Sequence, residues 1–128
     1  IGCGTGRHAE LFSTLVSEVY AMDPSREMID YCREKVIKSK NVKLIHGGFK
    51  ELANITEGNF DTITCLGNTL PLLETRKKIK NALKITITKL KKGGIAIFQF
   101  INFEIQKLLT RGSKYDYFFT KLGSRKHK

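Results

Sequence analysis

Apolar positions along the chain alternate between a helix spacing and a strand spacing, and this alternation predicts an α/β domain with a mostly parallel sheet. A glycine-rich loop over residues 1 to 6 comes first. Leu11, Phe12, Leu15 and Val16 then fall on one face of a helix predicted from about Arg7 to Ser17. A short strand is predicted at Val19 to Met22, and a helix from about Ser25 to Ile37 carries Met28, Ile29, Cys32 and Val36. The next strand is Val42 to Ile45, after which Gly47 and Gly48 break the chain. Phe60 to Leu66 has the β-branched alternation of a strand, entered through a Gly58-Asn59 turn.

Ile79, Leu83, Ile87 and Leu90 are spaced by four, four and three, which predicts a helix from about Glu74 to Leu90 with these residues on one face. The run Ile85-Thr86-Ile87-Thr88 alone reads as strand, but the longer pattern outweighs it. Gly93-Gly94 is expected to end that helix, and Ile95 to Ile101 is the most apolar strand, as suits the centre of a sheet buried on both sides. Residues 103 to 110 suggest a further helix, and no period follows Thr110. The expected architecture is therefore a doubly wound, Rossmann-like α/β sheet over residues 1 to 110, with a basic tail over 111 to 128. Ile1 is not a methionine and abuts a loop that in such folds follows the first strand, so the chain reads as truncated at the first strand and after the fifth. The first strand is central in such sheets, and its loss would expose two neighbours.

Composition narrows the function classes. At 128 residues and 41% apolar content, one core can form without disulfide or metal staples. Charges interrupt every window approaching the roughly 20 apolar residues of a membrane span, and no secretory signal is visible, so a cytoplasmic protein with no membrane partner is expected. Cys3, Cys32 and Cys65 form no CxxC pair and read as small buried thiols. His8, His46 and His127 lack ligand spacing, which argues against a metal site. The net charge of +11 suits an anionic partner, yet it concentrates on one predicted helix and on the tail, with no interleaved aromatic residues for stacking. A solvated helix face is the favoured reading, and a nucleic-acid partner stays open. Oligomeric state is not legible.

The candidate chemistry begins at Ile1-Gly2-Cys3-Gly4-Thr5-Gly6-Arg7. Glycines at these positions permit positive φ and remove every Cβ, so backbone N–H groups at a helix start can approach a ligand closely. Dinucleotide folds use G-x-G-x-x-G, which would require glycine at Arg7. Asp23 ends the second predicted strand at the same carboxyl edge, where a carboxylate can accept hydrogen bonds from both hydroxyls of a ribose. The plainer alternative is that Asp23 caps the helix entered through Asp23-Pro24-Ser25.

Residues 1 to 6 resemble motif I of class I S-adenosylmethionine-dependent methyltransferases, and Val19-Tyr20-Ala21-Met22-Asp23 resembles the acidic strand end that follows it. Val42 to Phe49 is similar to the third strand and the loop covering the adenine, Phe60 to Leu73 to the fourth strand and its loop, and Lys92 to Ile97 to the turn into the fifth. The likeness covers roughly residues 1 to 102, and Gly67-Asn68-Thr69-Leu70-Pro71 resembles the glycine and sarcosine N-methyltransferase branch. The resemblance implies S-adenosyl-L-methionine as cofactor, held by Gly2, Cys3, Gly4, Thr5, Gly6, Asp23, Pro24, Met28, Gly48, Phe49, Leu66, Gly67 and Asn68. Leu66 and Gly67 would meet the methionine end through their backbones, with Asn68 beside the transferable methyl. The plainer reading of this loop is a strand-to-helix turn shaped by Asn68 and Pro71. The adenine loop has Gly48-Phe49 where many relatives place an acidic residue, which puts stacking of Phe49 in place of a carboxylate contact. Lys92 replaces the frequent proline before the double glycine.

Methyl transfer needs orientation and a dry approach path more than a base, and no Ser/His/Asp or Cys/His arrangement is present. No catalytic residue is assigned. The implied activity is methyl transfer to a small-molecule substrate, an amine first. An RNA or protein substrate drawing on the basic helix and tail is the alternative, and a non-catalytic, partner-dependent cofactor-binding module is another. A nicotinamide oxidoreductase is the weakest rival.

Overall fold

The computed structural model describes residues 1–56 and 59–101. The chain forms two compact units, Ile1–Gly58 and Asn59–Lys128, each taken by itself below. The suggested helix at 103–110, the tail at 111–128 and Gly58 of the expected turn lie outside the described residues.

In the first unit the order is α1 (Arg7–Ser13), β1 (Val19–Asp23), α2 (Arg26–Lys35), β2 (Val42–His46) and α3 (Phe49–Asn54). β1 and β2 pair in parallel, from Val19 opposite Val42 to Asp23 opposite His46. Parallel neighbours need a crossover, and α2 supplies it. Ala9, Ala21, Cys32 and Val36 form a buried cluster, with Cys3, Val19, Val42 and Leu44 packed against it. The helical period of Ile29, Cys32 and Val36 is thus the buried stripe of α2, as the spacing predicts.

α1 corrects the sequence reading. It stops at Ser13, four residues before the predicted end, because Ser13 Oγ and Thr14 Oγ1 return to the carbonyls of Glu10 and Leu11. The Asn41 side chain then donates to the carbonyls of Ser13 and Val16, both at 2.9 Å, and satisfies the helix end from outside. Leu11, Leu15 and Val16 are exposed, Leu15 at 69%, so the predicted apolar face is not a buried face. α3 is an addition. Its N-cap is Gly48, whose N–H donates to Glu51 Oε2 at 2.7 Å, and Phe49 and Leu52 are buried.

The second unit runs β3 (Phe60–Cys65), a 3-10 turn (Leu70–Leu73), α4 (Arg76–Lys89) and β4 (Leu90–Phe98). β3 and β4 are parallel, with Thr62 opposite Ile95 and Cys65 opposite Phe98. Two corrections arise here. Gly93-Gly94 does not end the helix: α4 yields directly to strand at Leu90, and the glycines fall where β4 takes a five-residue step (Leu90 to Ile95) against two residues of β3 (Phe60 to Thr62). That is a bulge, and Gly93 at φ +81 supplies its left-handed residue. The buried face of α4 is Ala82 and Thr86, while Ile87 is 58% exposed, so the predicted seam is rotated. Thr86 is buried because its hydroxyl donates to the Ala82 carbonyl at 2.9 Å.

Each ladder is a strand–helix–strand unit of the doubly wound fold, and among the described residues no further strand pairs with the free edge of β1 or β3. No helix of the described residues is long and apolar enough to cross a membrane.

Candidate functional site

The glycine loop is a compact turn tied to β1. Gly2, Gly4 and Gly6 have φ of +69°, +51° and +89°. Gly6 N–H donates to the Cys3 carbonyl at 3.0 Å, and Cys3 N–H donates to the Met22 carbonyl at 2.9 Å. The glycines serve different ends. A Cβ on Gly6 would lie 2.6 Å from Cys32 Sγ and 3.1 Å from Cys32 Cα, so Gly6 lets the loop settle on α2. A Cβ on Gly4 would meet nothing within 4 Å, so Gly4 borders open space. Thr5 beside it is exposed.

Asp23 closes the turn from below. It is only 8% exposed, and its Oδ2 accepts from Gly4 N–H and its Oδ1 from Ser25 N–H, both at 2.9 Å. Helix capping belongs to Ser25, whose Oγ accepts from Met28 N–H at 3.3 Å. Asp23 therefore joins loop to helix entry, and an ionised carboxylate with about four acceptor sites keeps capacity beyond those two bonds. Pro24 is exposed, with its carbonyl 2.9 Å from His46 Nε2, and Met28 is half-buried.

Cys3 is the side chain of the loop that faces inward, against Cys32. Burial, then the Cys32 and Asp23 neighbours, pushes the Cys3 thiol up to about 12, and burial also raises Cys32. Both remain protonated at neutral pH, and the thiol is the unreactive form. Iodoacetamide at pH 7.5 is expected to leave both unmodified in the native chain and to label them once denaturant is added, read by mass spectrometry. Stoichiometric labelling without denaturant would refute this burial.

The loop after β2 reaches the same end of the ladder, since Gly47 N–H donates to the Asp23 carbonyl at 2.9 Å. Phe49 is buried, at 8% exposure, so its ring packs against protein and little of it is open to the stacking the sequence suggests. An acidic residue that sequence reasoning missed here is Glu51, in the first turn of α3. Its carboxyl is held below the usual carboxylate range by the Gly48 N–H, and a Glu three residues after the helix-starting glycine was the available signal.

In the second unit, Leu66, Gly67 and Asn68 follow the carboxyl end of β3. Gly67 and Asn68 are consecutive left-handed residues, at φ +70° and +67°. Asn68 N–H donates to the Gln99 carbonyl at 3.3 Å, and Gly67 N–H donates to Gln99 Oε1 at 2.7 Å. In return Asn68 Oδ1 accepts from Ile101 N–H at 2.6 Å. Thr69 Oγ1 donates to the Leu66 carbonyl at 3.0 Å. Gln99 carries no motif signal and was missed, and its role is visible only once β3 and β4 are paired.

The structure thus gathers Gly2 to Gly6, Asp23, Pro24, Met28, Gly48 and Phe49 around one ladder end in the first unit. Leu66, Gly67 and Asn68 form a separate ladder-end loop in the second. Among the described residues no three His, Cys, Asp or Glu side chains cluster to hold a metal.

Residues 1–94 match a family model described as "Methyltransferase domain". A putative methyltransferase, YqeM of Bacillus subtilis (strain 168), is 26% identical over 98 residues, covering 77% of this chain and 39% of the relative. Among solved structures, an S-adenosylmethionine-dependent methyltransferase from Clostridium acetobutylicum is 26% identical with a TM-score of 0.71, over 84% of this chain and 44% of that one. CalS10, an amino pentose methyltransferase from Micromonospora echinaspora solved with S-adenosylmethionine bound, is 27% identical with a TM-score of 0.67, over 76% and 39%. The chain spans less than half the length of these relatives.

Proposed function

The chain belongs to the methyltransferase-domain family, and from that premise we propose that it works as an S-adenosylmethionine-dependent methyltransferase acting on a small-molecule amine. One observation carries the cofactor reading: the buried Asp23 carboxylate clamps Gly4 N–H beneath a loop whose outer face at Gly4 is open to 4 Å. A ribose with two adjacent hydroxyls suits this rim, because Asp23 retains acceptor sites after its two backbone bonds. A third glycine at the Arg7 position, as a dinucleotide fingerprint requires, is absent, since Arg7 already opens α1.

When bound, S-adenosylmethionine supplies an electrophilic methyl on a positively charged sulfur. The chain's own task is then to hold and orient. Gly2, Gly4 and Gly6 would allow close backbone approach and Asp23 would accept from hydroxyls, while the resemblance implies that the backbone of Leu66 and Gly67 would meet the methionine end. Asn68, which the resemblance puts beside the methyl, commits its Oδ1 to Ile101 N–H, so its role would be to order the loop rather than to act as a base. A neutral amine has its own lone pair and needs no strong base.

The small-amine acceptor is supported by the likeness to an amino pentose methyltransferase at 27% identity, and by the Gly67 to Pro71 segment resembling the glycine and sarcosine N-methyltransferase branch. An RNA acceptor is the second reading, favoured by the exposed Lys77, Lys80 and Lys84 of α4. Incubating the chain with S-adenosylmethionine and a panel of amino sugars and amino acids, with mass spectrometry of the products, is expected to show an N-methylated small molecule. Methylation of added RNA alone, lost steeply with salt, would overturn the small-molecule assignment.

A further inference from the structure

The loop after β3 holds a conformation that needs support. Two successive left-handed residues, the second bearing a Cβ, are not kept by a free chain, although Asn tolerates the position better than most. The support comes from the segment after β4. Gln99 N–H donates to the Cys65 carbonyl at 3.0 Å and continues the ladder, and the Gln99 carbonyl accepts from Asn68 N–H. Any residue at position 99 would keep these backbone bonds. The side chain adds the one bond that depends on its identity, Gly67 N–H to Gln99 Oε1 at 2.7 Å.

That bond reaches further than Gly67. The peptide joining Leu66 to Gly67 is planar, so fixing the direction of Gly67 N–H fixes the Leu66 carbonyl, which points the opposite way. Thr69 Oγ1 occupies one lone pair of that carbonyl, and the second lone pair is available to a ligand donor. We propose that Gln99 is a positioning residue for the cofactor's methionine end, acting through the Leu66–Gly67 peptide that its carboxamide oxygen orients. The proposal rests on the methyltransferase reading above and adds to it a residue that no sequence motif marks.

The test compares Gln99→Ala with Gln99→Glu in the full chain. The glutamate keeps an acceptor oxygen at the same reach, and the alanine keeps none. In calorimetric titration with S-adenosylmethionine, Q99A is expected to bind about tenfold more weakly, and Q99E to stay within about twofold of the parent. Thermal midpoints of parent and Q99A are expected to agree closely, because the carboxamide is near solvent and its removal opens no core. Without ligand, exchange of the Gly67 amide, followed by NMR, is expected to quicken in Q99A and keep the parental rate in Q99E. Q99A binding as tightly as a binding parent, equal losses in Q99A and Q99E, or an unmoved Gly67 amide would each overturn the proposal. A parent chain that binds no S-adenosylmethionine would instead sink the methyltransferase reading itself, and so is told apart from failure of the Gln99 role alone.

Discussion

Replacing Asp23 with alanine is expected to weaken S-adenosylmethionine binding by about tenfold or more. Hydrogen bonds to a charged group contribute roughly 1.5–3 kcal/mol each, and about 1.4 kcal/mol is a factor of ten in affinity. Asp23 is placed to make such bonds at its free acceptor sites while it holds Gly4 N–H and Ser25 N–H. The variant therefore loses twice: the hydroxyl acceptors disappear, and the loop loses the clamp that sets its shape. Asp23→Asn separates the two losses, since its carbonyl oxygen can still accept one backbone N–H but the negative charge is gone. It should unfold closer to the parent than D23A does, yet still bind weakly. Calorimetry on folded D23A showing parental affinity would remove Asp23 from the site.

Gly6→Ala carries the largest expected cost to stability, about 2–5 kcal/mol, the sum of a left-handed residue gaining a Cβ and of overpacking. The added methyl would meet Cys32 Cα at 3.1 Å, and backbone gives way less readily than a side chain. For a small unit each kcal/mol shifts the midpoint by several degrees, so a fall on the order of 10 °C or more is expected in a thermal scan. Gly4→Ala is the internal control. It too sits at positive φ but meets nothing within 4 Å, so only the conformational cost, on the order of 1–2 kcal/mol, remains. A G6A midpoint equal to that of G4A would show that the loop does not rest on α2 as described.

These two positions also show what could be read before any coordinates. The glycine spacing and the acidic end of β1 are legible because each is a local pattern with a backbone reason: positive φ at Gly2, Gly4 and Gly6, and a carboxylate one helix and one strand later. β1, β2 and β3 match their expected bounds within one residue, since apolar, β-branched runs bounded by turns have little freedom, whereas β4 begins at Leu90 and not at Ile95. The end of α1 is not legible, although the bounds of α2 and α4 fall within one or two residues of those expected. α1 stops early because Asn41, 28 residues away from Ser13, satisfies its terminal carbonyl, and no local pattern announces a cap from that distance. The bulge at Gly93 likewise follows from pairing with β3, where Lys91 also meets Asp61 at 2.8 Å. Helix α3 was overlooked because its six residues are too few to show a period. The stacking role of Phe49 rests on the resemblance of its loop to an adenine-covering one, and its burial reflects its place at the start of α3.

In the site, the side chains that touch backbone across long separations were the ones hidden. Gln99 lies 32 residues from Gly67, and only the parallel pairing of β3 with β4 brings them together. Asn68 was legible as a loop residue, but its bond to Ile101 N–H recasts it as a strut. The sequence therefore marks candidate groups whose intrinsic chemistry suits a ligand, and it does not mark side chains such as Gln99 that hold another segment in place.

In the proposed reading the glycine turn and Asp23 together form an adenosyl-binding rim. Titrating the isotope-labelled chain with S-adenosylmethionine, and following backbone amides by NMR, tests it most directly. Saturable shifts at Gly2, Gly4, Gly6 and Asp23, with little change at remote amides such as Lys35, are the result expected. A titration in which those amides stay still, or move only when a pyridine dinucleotide is added, would contradict it.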